Sequence, residues 1–368
     1  MKKKLMYGLL VCGMVLSLTA CGKDKPEEEP PAEPEPAVED TVTVVEPEEE
    51  TPAPEEVREG MYRSELTNEW IDESLKNQRP VAVMIDNEKT ALPHYGISEA
   101  DVVYEMMNST MNGHITRFMV LVKDWEKIEQ LGSIRSTRTT NLQIAPEWNA
   151  VVCHDGGPFY IDYFLVNPFV DNFNGGFGRV NNGKAREFTE YILSGEIAKR
   201  FENSGIDREY NMYYQGSHFQ FASEANPVDL SQGSNVKPCT NIELPFEHNN
   251  SRLEYIPESG LYRYSEYGGE YKDAGNGAYM EFTNVILQET KYEQLDDNGY
   301  MNFFVKDGNG MGGYYITGGQ AIPITWDKQD DIYPTKYYDL DGNEIILNTG
   351  KTYIALVAND VWQDLVVE

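Results

Sequence analysis

"VAVMID", residues 81–86, is the stretch on which the fold turns. Five apolar residues run without alternation into an aspartate. A strand with one wet face alternates apolar and polar positions, whereas a strand covered on both faces reads as a continuous apolar run. The run begins after Pro80 and closes at Asp86-Asn87, so its length suits a strand. Three more runs have related texture: "DVVYEMM" (101–107), "TRFMVLV" (116–122) and "AVVC" (150–153). Between them lie "SLKNQ" (74–78), a turn at Leu92-Pro93-His94-Tyr95-Gly96, and "STRTTNLQIAPEW" (136–148), whose spacing suits a helix ended by Pro146. Together they predict layered α/β architecture. A later segment, "NNGKAREFTEYILSGEIAKRFENSGI" (181–206), carries Ala185, Phe188, Tyr191 and Ile192 at near-helical spacing and predicts helix, broken near Gly195.

From about Asn226 the texture changes. Runs such as "RLEYI", "LYRYS", "AYMEFTNVILQ", "GYYITGG" and "TYIALV" are divided by turn signals at 297–299, 307–310 and 341–343. This is antiparallel β texture with Asp-Gly and Asn-Gly hairpins. Trp326, Tyr337, Tyr338 and Tyr353 read as packing residues. The expected fold class is therefore α+β: an N-terminal α/β domain with a mixed sheet at 61–225, then a β-rich antiparallel domain at 226–368.

Ahead of this body, Lys2, Lys3 and Lys4 precede an apolar run from Leu5 to Ala20, the layout of a secretory signal peptide over 1–20. A span needs about 20 apolar residues, so an uncleaved anchor helix is the weaker alternative. Leu18-Thr19-Ala20-Cys21 resembles a bacterial lipobox, in which the Cys21 thiol takes diacylglycerol and becomes the mature N-terminus. Residues 21–60 then form an acidic Pro/Glu-rich tether. Between 23 and 59 there are fifteen acidic residues against three basic ones, with little to bury, so the segment is expected to stay extended and disordered. At full extension it reaches on the order of 100 Å. It serves as a stalk, or simply as a solubilising leader. The expected location is the outer face of the bacterial cytoplasmic membrane, with the lipid on Cys21 as the membrane partner.

The formal charge of −31 excludes nucleic acid as a natural partner, since no basic stripe offsets it. Of four cysteines, Cys12 lies in the signal and Cys21 is committed to lipid. Cys153 and Cys239 remain, and they fall in what read as different domains, which argues against a disulfide.

"RPVAVMIDN", "ISEADVVYE", "GHITRFMVLV", "LGSIRSTR", "VVCHDGGP" and "PITWDKQDDIYPTKYYDLDGNEIILNTGKTYIALV" resemble the YerB-like lipoproteins, exported bacterial proteins with paired N- and C-terminal domains of unknown function. The resemblance runs from about Arg79 to Val357. It implies a shared fold and an envelope setting, and it supplies no reaction.

Chemistry must therefore be read from the residues. In a mostly parallel sheet, ligands sit beyond the carboxyl ends of the strands. Asp86 and Asn87 close the first run, Glu105 nearly closes the second, and His154 and Asp155 close the fourth. If a helix begins at Ser136, Arg135 and Arg138 share a face near its positive end and suit a carboxylate or phosphate. The plainer reading has them neutralise Asp86, Glu105 or Asp155 internally. His154 with Asp155 or Glu105 is a candidate general acid/base pair, but no motif names a nucleophile. Cys153 and His154 are strand neighbours and project to opposite faces, which argues against a thiol–imidazole pair. The glycines of "HDGGP" and "NGGFGRVNNGK" either admit a ligand or make turns. The five histidines have no zinc spacing, and "DLDGNE" (339–344) reads as a hairpin turn rather than a calcium loop. No cofactor or metal is expected. A binding or regulatory module for an envelope protein or anionic wall component is preferred. An envelope hydrolase or transferase is the alternative, and a mainly structural lipoprotein a third reading.

Overall fold

The computed structural model describes residues 57–306, 308 and 311–368. The signal peptide, Cys21, nearly all of the tether and most of the 307–310 turn lie outside the described residues. Among the described residues, no helix is long and apolar enough to cross a membrane.

The four apolar runs become strands: β1 (Val81–Asp86), β2 (Val102–Met107), β3 (Thr116–Val122) and β4 (Val151–His154), every residue of them buried. β5 (Asn172–Asn174) lies beside β4. The later half supplies β6 (Lys237–Pro238), β7 (Asn284–Thr290), β8 (Gly312–Thr317), β9 (Gln320–Asp327), β10 (Lys336–Tyr338) and β11 (Thr352–Ala358). All eleven belong to one sheet, ordered β6-β9-β8-β7-β11-β2-β3-β1-β4-β5, with β10 on β9. β11 is parallel to both β7 and β2. The antiparallel texture expected after residue 226 therefore gives way to parallel pairing where the sheet crosses from one half of the chain to the other. After Thr352 the run "YIALVA" has no charged or small polar residue because β11 is a central strand covered on both faces. Each such aliphatic side chain contributes roughly 1.5–3 kcal/mol on burial.

A second, six-stranded sheet is built from Asn241–Glu243, Arg252–Ile256, Leu261–Glu266, Gly269–Glu270, Glu281–Phe282 and Val366–Val367, all antiparallel. Along Leu261–Glu266 alternate positions turn inward, so Tyr262, Tyr264 and Glu266 are buried. Tyr264 meets Phe118 of β3 and Tyr353 of β11, with ring centroids 5.7 and 5.9 Å apart, and Phe282 meets Tyr353 at 5.3 Å. An aromatic layer thus joins the two sheets.

Helix is scarcer than the sequence predicts. α1 (Thr139–Ile144) runs into a 3-10 turn through Pro146, α2 (Asp162–Leu165) is a single turn, and α3 (Glu196–Ser204) has nine residues. Within 181–206 only the part after Gly195 is α-helical. Glu190–Leu193 is instead a strand paired with Gln130–Gly132 and Gly178–Arg179. Buried Tyr191 and Ile192 lie on adjacent strand positions covered on both sides, a pattern indistinguishable from a short helical face by spacing alone. Gly195, at φ 73°, supplies the left-handed residue that starts α3. Ile197 and Phe201 of α3 are buried, with Phe201 stacked on Trp125 at 5.2 Å.

Candidate functional site

β1, β2, β4, β5, β7 and β11 run in one direction and β3 runs against them. The carboxyl ends of β1 and β2 and the amino end of β3 therefore share one edge. Asp86 of β1 stands in register with Arg117 of β3, and Arg117 with Met106 of β2. Residues opposite one another in an antiparallel pair project to the same face, so Asp86 and Arg117 lie on the same side of the sheet.

The stretch 133–138 docks against this edge as extended chain. Ile134 bridges to Ile85, and the Arg135 N–H donates to Met84 O at 2.9 Å. α1 begins at Thr139, so Arg135 and Arg138 do not share a helix face as the sequence predicts. They reach the site from a strand-like segment held by backbone bonds to β1. The Asn141 side chain accepts the Arg138 N–H at 3.0 Å and fixes the turn into α1.

These elements wall a pocket of about 530 Å³ lined by Asp86, Asn108, Arg117, Arg135, Arg138 and Tyr300 among others. Arg135 is paired: its Nε lies 2.7 Å from Asp86 Oδ2, and its Nη1 is 3.2 Å from Glu187 Oε2. Arg117 is only 7% exposed and donates through Nη1 to Ser136 O at 2.7 Å. Arg138 donates to the carbonyls of Thr137 at 2.9 Å and Ser136 at 3.5 Å, with its guanidinium 4.9 Å from the centre of the Tyr300 ring. Among the described residues neither Arg117 nor Arg138 has a carboxylate within 4.0 Å, and the Nε of each is buried without a partner. Burial lowers the Arg117 pKa to about 10 against partial relief from Asp86. Burial, reinforced by repulsion from Arg117, lowers that of Arg138 to about 9. Both remain cationic near neutrality. Two desolvated guanidiniums facing one cavity are stabilised by an anion placed between them.

Strand alternation removes the other candidates from this pocket. Glu105 and Asn87 lie on the opposite face of the sheet from Asp86, and both are fully buried. Glu105 Oε1 accepts from Thr116 Oγ1 at 2.7 Å, Ser251 Oγ at 2.7 Å, Asn249 Nδ2 at 2.8 Å and Asn87 Nδ2 at 3.2 Å, while Tyr353 Oη donates to Oε2 at 2.5 Å. Asn249 also contacts Glu266 Oε2 at 3.3 Å. Burial, then the neighbouring Glu105 charge, pushes the Glu266 pKa up to about 8. This network joins the two sheets.

His154 and Glu105 do not form an acid/base pair. The His154 ring is buried, with Nδ1 2.8 Å from Gly156 O and Nε2 3.2 Å from Asn172 Oδ1, so each nitrogen faces a polar neighbour within the fold. Burial lowers its pKa. Asp155 is exposed and lies 3.7 Å from Arg179. Cys153 and Cys239 are both buried free thiols, whose burial raises their pKa values. The glycines of "HDGGP" serve the turn: a Cβ on Gly157 would lie 2.4 Å from Ile161 Cδ1. At 339–344 the Asp339 carboxylate accepts from the N–H groups of Asp341 and Asn343 and from Asn343 Nδ2, closing a turn on itself.

Arg117 is the residue that sequence reading missed, because it lies inside "TRFMVLV" and was absorbed into an apolar strand. A cation in a run otherwise covered on both faces is the signal that marked it. Tyr300 and Asn108 carry no comparable signal, since they reach the pocket through tertiary folding.

Residues 66–207 match the family model "Protein of unknown function (DUF3048) N-terminal domain", and residues 242–354 match its C-terminal counterpart. The chain is 24% identical over 305 residues to "Putative lipoprotein YerB" of Bacillus subtilis (strain 168), covering 80% of this chain and 86% of that one. The fold is similar to the crystal structure of YerB protein from Bacillus subtilis, with a TM-score of 0.69 at 20% identity, over 83% of this chain and 99% of that one. Two domain matches in the same order, a relative spanning most of both chains and a shared fold agree: this chain belongs to the DUF3048 family.

Proposed function

We propose that this protein is a lipid-anchored extracytoplasmic binding protein that takes an anionic ligand in the pocket of Arg117, Arg135 and Arg138. The observation that carries the reading is the pair of guanidiniums, buried Arg117 and half-buried Arg138, that face the pocket without a carboxylate within 4.0 Å and with the Nε of each covered. The lipobox at Cys21 and the lipoprotein name of the Bacillus relative support the anchor and the outer-face location. The acidic tether places the body within reach of envelope proteins and anionic wall components while the lipid holds it to the membrane. The hydrolase alternative loses support because the His154 imidazole is enclosed, Glu105 lies on the other face of the sheet, and Asp155 is exposed beside Arg179.

A ligand that binds only the folded state raises its melting temperature. Sulfate added to the full chain is expected to raise the melting temperature of the wild type and to leave that of Arg117→Gln nearly unchanged. An equal rise in both would refute the assignment. Labelling with a palmitate analogue tests the anchor, since Cys21→Ala should abolish incorporation.

A further inference from the structure

We infer that the anion this pocket takes is a phosphate monoester, a dianionic tetrahedral group, rather than a carboxylate. The inference rests on the anion-site reading and narrows it. Three guanidiniums line the cavity, and Arg135 is already occupied by Asp86 and Glu187. Glu88 also lines the pocket and keeps its charge, its Oε1 accepting from Thr90 Oγ1 at 2.8 Å. Arg117 and Arg138 are the two guanidiniums of the pocket that, among the described residues, have no carboxylate within 4.0 Å, so their forks are open to a ligand's oxygens. A monocarboxylate brings one charge and two oxygens. It can engage one guanidinium side-on and leaves the other desolvated charge uncompensated, which is the costly arrangement. A phosphate monoester brings about −1.5 to −2 charges and three terminal oxygens at neutral pH, enough for both forks at once. The remaining lining matches this demand. Asn108, Ser109 and Asn298 add neutral polar groups, and His248 Nε2 is a buried ring nitrogen without a partner. A phosphodiester, as in a polymer backbone, has one charge and two free oxygens and falls short in the same way as a carboxylate.

The test is calorimetric titration of the full-length protein in detergent at pH 7.5 with phenyl phosphate, dimethyl phosphate and acetate. Phenyl phosphate should bind at least tenfold more tightly than either of the others, and Arg117→Gln and Arg138→Gln should each lose at least tenfold of that affinity. Arg117→Lys keeps the charge without the fork and should retain part of it, which separates charge loss from misfolding. Arg179→Gln, outside the pocket, should bind as the wild type does. If acetate or dimethyl phosphate binds as tightly as phenyl phosphate and the same arginine variants lose it, the monoester assignment is overturned while the anion site stands. If none of the three binds, or the arginine variants bind as well as the wild type, both fall.

Discussion

Glu266 is a carboxylate placed by strand alternation where a hydrophobic residue would ordinarily sit. Its pKa of about 8 in the folded protein, raised by burial and then by Glu105, lies far above the 4.5 expected of an unfolded chain. Between those values the folded state binds more protons than the unfolded state, so stability falls as pH rises from about 4.5 to about 8 and levels off above. The stability that the protonated form contributes is fully present below 4.5. Glu266→Gln keeps the shape and removes the titration. Its melting temperature should exceed that of the wild type by several degrees at pH 8.5, with the gap closing toward pH 5. Thermal unfolding at the two pH values measures this, and a gap of equal size at both would contradict it. The same alternation explains what was legible at single positions. Asp86 could be foreseen at a strand end and Arg135 as its neutralising partner, whereas the separation of Glu105 from Asp86 depends on which face each strand register presents. That register is set by pairing across β1, β3 and β2, and one-dimensional patterning does not contain it.

Between elements, the segment that follows α1 is bound to the later half of the chain through Glu147. Its carboxylate accepts from Lys328 Nζ at 2.6 Å, Thr335 N at 3.0 Å and Thr335 Oγ1 at 2.8 Å, with His218 Nε2 3.3 Å away. Burial opposes the charge, but Lys328 and His218 hold its pKa below the usual carboxylate range. Removing one partner of such a buried pair leaves the other uncompensated, at about 3–5 kcal/mol. Glu147→Ala should therefore lower stability by that order in denaturant titration, while Glu147→Ala with Lys328→Met should recover part of it. No recovery would mean that the loss comes from packing. At this scale the strands were readable and the helices in part: α1 and α3 fall inside the segments expected to be helical, whereas Glu190–Leu193 does not form helix. Continuous apolar runs announced β1 to β4, since burial on both faces leaves its mark in composition. Glu190–Leu193 resembled helix because a short buried strand and a helical stripe share the same apolar spacing.

For the whole molecule, the boundary near residue 225 visible in texture does not coincide with a break in the sheet. β11 inserts between β7 and β2 with parallel bonds on both sides, and the described residues form one compact unit. A chain ending at residue 225 would leave the β2 edge unpaired and expose Phe118, which Tyr264 and Tyr271 cover. Such a fragment is expected to aggregate or to lack a cooperative unfolding transition, whereas the chain from residue 57 to 368 should unfold in one step. A sharp transition in the 57–225 fragment would contradict the shared sheet. Change of texture was a sound guide to strand type, but pairing between strands 250 residues apart leaves no trace in local pattern.

The central claim is that an anion sits between Arg117 and Arg138. Crystals soaked in selenate and measured at the selenium edge should show an anomalous peak in that pocket in the wild type, lost in Arg117→Gln. Peaks confined to other surfaces, or a pocket peak unchanged in the variant, would contradict it.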